Sequence, residues 1–156
     1  MANEPLRIDS VKRPREMGEI GMTICPGKIC QGMSGRHHRD LTADLEAIRA
    51  WGAEILVSLI EEHEYLEVGV GEMGALIPEG IKHLKLPIRD VDVPDLRWER
   101  DWARLGPLMR AVLRRGGKVC IHCMGGLGRS GLVAARLLVE FGYSPEEAIH
   151  AVRRAR

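Results

Sequence analysis

An α/β fold with a mostly parallel central sheet flanked by helices is predicted by three observations. Strand-like apolar runs alternate with helical patterns along the chain. The stretch "EILVSLI" is nearly continuously apolar, as in a strand buried on both faces. And "KVCIHCMGGLGRSGLVAARLLVEF" passes from strand through a glycine-rich turn directly into a helix, as in a βα unit.

The elements follow in order. Residues 1–18 are polar and carry prolines, which reads as an N-terminal arm before a single domain over 19–156. "IGMTICPGKI" reads as strand, turn, strand, punctuated by Pro26-Gly27. In "RDLTADLEAIRAWGA", Leu41, Leu45, Ile48 and Trp51 recur at helical spacing and Gly52 supplies the stop. "EILVSLI" is the next strand, "EEHEYLEVG" one or two helical turns, "VGEMGALIPEG" a loop and "KHLKLPI" another strand. A long amphipathic helix follows, with Asp95 as N-cap and Pro107 inside it. After "KVCIHC" and the helix that ends at Gly142, "SPEEAIHAVRRAR" opens with Ser144, Pro145 and Glu147, a capping box with proline at the first helical position.

Composition narrows the function. A chain of 156 residues can bury a real core as one domain. Its net charge of +1 lacks the basic excess of a generic nucleic-acid or membrane-surface binder. No run of eighteen apolar residues is present, so no membrane insertion is expected. Cys120 and Cys123 have opposite parity on one short strand, which argues against a disulfide framework and for a reducing, cytoplasmic setting. His37 and His38 lack partners at metal-ligand spacing and read as solvated loop, so neither metal nor cofactor is expected.

The chemistry concentrates in "HCMGGLGRSG". A helix that starts near Arg129 aims unpaired N–H groups and the positive end of its dipole at the preceding loop. Met124, Gly125, Gly126, Leu127 and Gly128 can then form a concave nest for a phosphate or similar oxyanion. Arg129 adds a planar fork that fits two oxygens of such an anion. Cys123 sits at the floor, where neighbouring positive charge can lower a thiol from about 8.5 into the range of roughly 3.5–7.5 and leave a thiolate nucleophile.

The motif His-Cys-x5-Arg-Ser resembles that of the cysteine-based protein tyrosine phosphatases, in their compact dual-specificity branch. Together with "CPGKI" and "LPIRDVDVPD" it is most similar to the kinase-associated phosphatase subgroup, from about Cys25 to the C-terminus. The resemblance implies a protein tyrosine phosphatase-like fold and hydrolysis of phosphotyrosine, with phosphoserine and phosphothreonine as further substrates. It implies that Cys123 attacks phosphorus, that Arg129 clamps the phosphoryl oxygens, and that Ser130 hydrogen-bonds the departing thiolate. Asp90 is the first choice of general acid and Asp92 the second, while Asp95 caps the following helix. His122 has two readings, an orienting residue behind the loop or a satisfied core histidine.

Two departures narrow this further. The loop interior carries no lysine or histidine, which disfavours an inositol-lipid substrate. Some relatives protect the nucleophile through a cysteine on the strand corresponding to "EILVSLI", which here has none; Cys25 or Cys30 could substitute only within disulfide reach. Arg153, Arg154 and Arg156 read as a basic helix end, or as a hold for acidic substrates. The competing functions are an arsenate reductase or sulfurtransferase with the same short loop, and a phosphate-binding module without turnover. Oligomeric state is not legible.

Overall fold

The computed structural model describes residues 4–12, 17–32, 35–89, 94–125 and 128–156. Its strands are β1 (Asp9–Lys12), β2 (Glu19–Thr23), β3 (Ile29–Gly32), β4 (Gly35–His38), β5 (Ala53–Ser58), β6 (Lys82–Lys85) and β7 (Lys118–His122). The helices are α1 (Leu41–Trp51), α2 (Glu62–Glu67), α3 (Met73–Leu76), α4 (Leu96–Arg114), α5 (Gly128–Glu140) and α6 (Pro145–Ala155). Five strands form one sheet in the order β1-β2-β7-β5-β6. All its pairings are parallel except that of β1 with β2. This is the α/β architecture with a mostly parallel, helix-flanked sheet that the alternating pattern predicts.

Strand parity divides the core. Ile55 and Val57 of β5 and Val119 and Ile121 of β7 face α4, α5 and α6. Leu56 and Cys120 face the other way, into a cluster with Leu45 and Ile48 of α1, Tyr65 of α2 and Met73 of α3. A parallel strand covered on both faces has no solvent side, which is why these segments read as unbroken apolar runs.

Helix ends follow their sequence signals. The Asp40 side chain accepts from the Ala43 N–H to start α1, and Gly52 ends it in the left-handed region at φ 107°. Asp95 accepts from the Trp98 N–H at 2.9 Å, the cap read from the sequence. Ser144 and Glu147 form the expected capping box of α6. Pro107 lies inside α4, which continues past it.

Three segments differ from the sequence reading. The polar lead-in contains β1, which pairs Val11 with Ile20, and both Val11 and the preceding Leu6 are buried. "GRHHRD", read as solvated loop, contains β4, paired antiparallel with β3. The loop "VGEMGALIPEG" contains the single turn of α3, whose Met73 is fully buried. Each element is four residues long, too short for periodicity to register, and depends on partners supplied elsewhere in the chain.

Candidate active site

Four strands deliver the site from their C-terminal ends, where open parallel sheets bind ligands. The strand ladder extends past the regular elements to hold those ends in place. The Leu59 N–H donates to the His122 carbonyl at 3.1 Å, Leu86 N–H to Ser58 at 2.9 Å and Ile88 N–H to Leu59 at 2.8 Å. On the other side of β7, the Cys25 N–H donates to the Met124 carbonyl at 3.2 Å. The "CPGK" turn is fixed from below by Asp44, whose carboxylate accepts from the Gly27 N–H at 2.8 Å. Gly27 stands at φ 73° with Leu41 only 2.6 Å from where a Cβ would lie, so no other residue fits without strain.

Cys123 follows β7 directly and is buried beneath the start of α5. Of the expected cradle, Met124, Gly125 and Gly128 are described, whereas Gly126 and Leu127 lie outside the described residues. Neither Gly125 nor Gly128 has a positive φ. A Cβ on either would meet nothing within 4 Å among the described residues, so no described neighbour requires glycine there.

Arg129 lies in the first turn of α5 with its side chain 3% exposed. Its guanidinium donates twice to one carboxylate, Nη1 to Glu64 Oε1 at 2.7 Å and Nη2 to Glu64 Oε2 at 3.0 Å. Nη1 also donates to the Ile88 carbonyl at 2.9 Å. Glu64 is placed by its own helix: Oε1 accepts from the Glu61 N–H at 2.8 Å at the start of α2. Burial opposes the charged form of Glu64. The Arg129 fork and the Glu61 N–H nevertheless outweigh it and hold the carboxyl below its usual range.

Ser130, next in the helix, is fully buried and its Oγ has no hydrogen-bond partner among the described residues. An orphaned buried hydroxyl costs roughly 1–3 kcal/mol, so its retention here calls for an explanation.

His122 is also fully buried, and burial is the main cause that pushes its pKa down to about 4. Its Nδ1 lies 3.0 Å from the Cys123 carbonyl and its Nε2 2.6 Å from Ser58 Oγ. Ser58 Oγ in turn lies 2.7 Å from Nε2 of His83 on β6. The phenol of Tyr65 is buried beside Ser58 without hydrogen-bond geometry to it.

The candidate acids Asp90 and Asp92 lie outside the described residues. Both ends of their segment are anchored. The Trp98 indole N–H donates to the Leu86 carbonyl at 3.1 Å before it, and Asp95 caps α4 after it. Cys25, Cys120 and Cys123 are free thiols. Cys25 adjoins the loop and packs in the α1–α3 cluster, near enough to Cys123 for the two thiols to interact electrostatically, and burial pushes its thiol up to about 12. The side chain of Cys30 is not among those described.

A family model described as "Polymorphic toxin system, DSP-PTPase phosphatase" matches residues 31–143, which include Ser58, Glu64, His83, Cys123, Arg129 and Ser130. The chain belongs to the DSP-PTPase phosphatase family. Among solved structures the chain is similar to kinase associated phosphatase with its catalytic-site cysteine replaced by serine. That likeness has a TM-score of 0.83 at 28% identity and covers 99% of this chain and 85% of the other. Tk-PTP in its active form follows with a TM-score of 0.62 at 27% identity, over 95% of this chain and 84% of that one. Cyclin-dependent kinase inhibitor 3 of Rattus norvegicus is 31% identical over 142 residues, 88% of this chain and 63% of its own length. Tyrosine-protein phosphatase CDC14 of Saccharomyces cerevisiae is 36% identical over 75 residues, 47% of this chain and 13% of its own. The chain thus spans less than two thirds of the length of either relative.

Glu64, Ser58 and His83 belong to this site and were not singled out from the sequence. The one signal for Glu64 is its position three residues after Glu61, the spacing of a helix start. For Ser58 it is a lone hydroxyl in an otherwise apolar strand.

Proposed function

We propose that this DSP-PTPase family member hydrolyses phosphotyrosine, phosphoserine and phosphothreonine monoesters of proteins through a phosphocysteine intermediate, in the cytoplasm. The observation that carries the reading is the placement of the Arg129 guanidinium. It is held at two edges by Glu64 and Ile88 in the helix turn that follows Cys123.

In the first step the Cys123 thiolate attacks phosphorus and the ester P–O bond breaks. The leaving oxygen takes a proton from the general acid, assigned to Asp90. The N–H groups of residues 124–128 and Arg129 stabilise the negative charge of the equatorial oxygens, a charge–dipole term greatest in the transition state. In the second step water attacks phosphorus, gives its proton to Asp90 and displaces the Cys123 thiolate. The Ser130 hydroxyl supplies a hydrogen bond to that thiolate as the P–S bond breaks. Two further facts support this reading: the unpartnered Ser130 Oγ and the free thiols of the described cysteines.

The test is release of p-nitrophenol from p-nitrophenyl phosphate without added metal, with Cys123→Ser as control. Turnover that this change abolishes establishes the nucleophile. Equal rates for the two proteins reject the mechanism, and a thiol-dependent arsenate reduction assay then discriminates the reductase alternative.

A further inference from the structure

A directed chain of hydrogen bonds crosses the sheet beneath the nucleophile. Its polarity follows from what each atom can donate. The Cys123 carbonyl only accepts, so the proton in the 3.0 Å contact belongs to Nδ1 of His122. With that ring neutral, its Nε2 is a bare acceptor, and the hydroxyl 2.6 Å away on Ser58 must donate to it. Ser58 has only one proton, so toward Nε2 of His83, at 2.7 Å, it can only accept. His83 therefore donates to Ser58, Ser58 to His122, and His122 to the Cys123 backbone.

The residues share one face because the register puts them there. Ser58 pairs with His122, and His83 pairs with Leu56, two residues before Ser58. The chain thus runs from edge strand β6, through β5, to the end of β7. His83 is half-buried at the edge, whereas Ser58 and His122 are fully buried. A weaker path competes for the Ser58 proton, the thioether of Met73 at 3.8 Å.

We propose that Ser58 and His83 are positioning residues for the Cys123 loop: together they select the Nδ1–H tautomer of His122 and so anchor the carbonyl of the nucleophile. The carbonyl held toward His122 is turned away from the cradle, which leaves the following N–H groups to face the anion. Without the Ser58 proton, His122 can place its own proton on Nε2, and the Cys123 carbonyl loses its donor. Without His83, the Ser58 hydroxyl is free to turn toward Met73. The charged and titratable groups around the chain are Lys85 on β6, Tyr65 and Glu64 on α2, and Arg129 on α5. This inference rests on the phosphatase reading, and the two fail separately.

The experiment compares wild type, Cys123→Ser, Ser58→Ala, His83→Phe and His83→Gln. Gln keeps an N–H donor at position 83, whereas Phe fills the volume without one. Three quantities are read: kcat and KM on p-nitrophenyl phosphate, the pH midpoint of Cys123 alkylation by iodoacetamide, and the His122 tautomer by long-range proton–nitrogen correlation. For Ser58→Ala we expect kcat to fall about tenfold with KM within about twofold, from loss of one buried hydrogen bond. The alkylation midpoint rises and His122 moves toward the Nε2–H form. His83→Phe shows the same pattern at about threefold in kcat, and His83→Gln returns to near wild type. The proposal is overturned if Ser58→Ala and His83→Phe keep the wild-type midpoint and tautomer, whatever their melting temperatures, or if Gln rescues no better than Phe. If wild type and Cys123→Ser turn over alike, the phosphatase reading fails; the tautomer measurement still decides the hydrogen-bond chain.

Discussion

Glu64 grips Arg129 with both carboxylate oxygens, at 2.7 and 3.0 Å, from a position 65 residues earlier in the chain. One partner lies on the helix after β5 and the other in the first turn after the nucleophile loop. The pair aligns the guanidinium fork before any anion arrives. Preorganisation of this kind lowers the cost of reorientation during reaction.

Removal of the grip should therefore affect both folding and turnover. Glu64→Ala leaves a buried guanidinium without its counter-charge, and loss of one partner of a buried pair costs about 3–5 kcal/mol. Urea denaturation should show that loss as a lower midpoint at unchanged slope. Glu64→Gln keeps the volume and one acceptor but not the charge, so it should lose less stability than Glu64→Ala and still lose about tenfold or more in kcat/KM. A Glu64→Gln protein with wild-type kinetics would reduce Glu64 to a structural counter-ion.

Arg129→Lys separates charge from geometry. Lysine is a point charge that cannot reach two phosphoryl oxygens and hold Glu64 at once. Loss of a preorganised transition-state donor lowers kcat by about 10²–10³. Steady-state kinetics should show that fall mainly in kcat, with only a modest rise in KM.

Asp90→Asn should slow turnover of phenyl phosphate by about 10²–10⁴, the range for a lost general acid. The defect should shrink on p-nitrophenyl phosphate, whose leaving group needs protonation less. If Asp92→Asn shows this leaving-group dependence and Asp90→Asn does not, the acid is Asp92.

Stability should fall as the solution is acidified below about pH 6.5. Burial holds both His122 and His83 down to about 4, so between those values the unfolded chain binds protons that the folded chain refuses. Stability present above the unfolded value is lost as pH drops through this window. For His122 the full effect is on the order of 3 kcal/mol. The depressed carboxyl of Glu64 acts in the same direction at still lower pH. Chemical denaturation at pH 7 and pH 5 should show the difference, and His83→Gln should reduce the slope.

How much of this was legible depended on sequence distance. The βα turn that carries Cys123 and Arg129 was readable because strand, glycines and helix are contiguous, and the caps at Asp95 and Ser144 because a cap is a four-residue event. Glu64 was hidden because its partner is 65 residues away and its helix is only six residues long. Ser58 looked like an interruption of an apolar strand until the register set it beside His122. β1 was hidden by its polar composition, which suits an edge strand with a single partner.

The four strand ends carry different parts of the candidate site. Cys123, the proposed nucleophile, follows β7, flanked by β2 on one side and β5 on the other, whereas the segment with the candidate acids leaves from edge strand β6. An edge connection can lengthen, shorten or change sequence without disturbing the ladder on either side of β7. Leaving-group and substrate preference could therefore drift, or be engineered, on one border of the sheet while the bond-breaking centre stays intact.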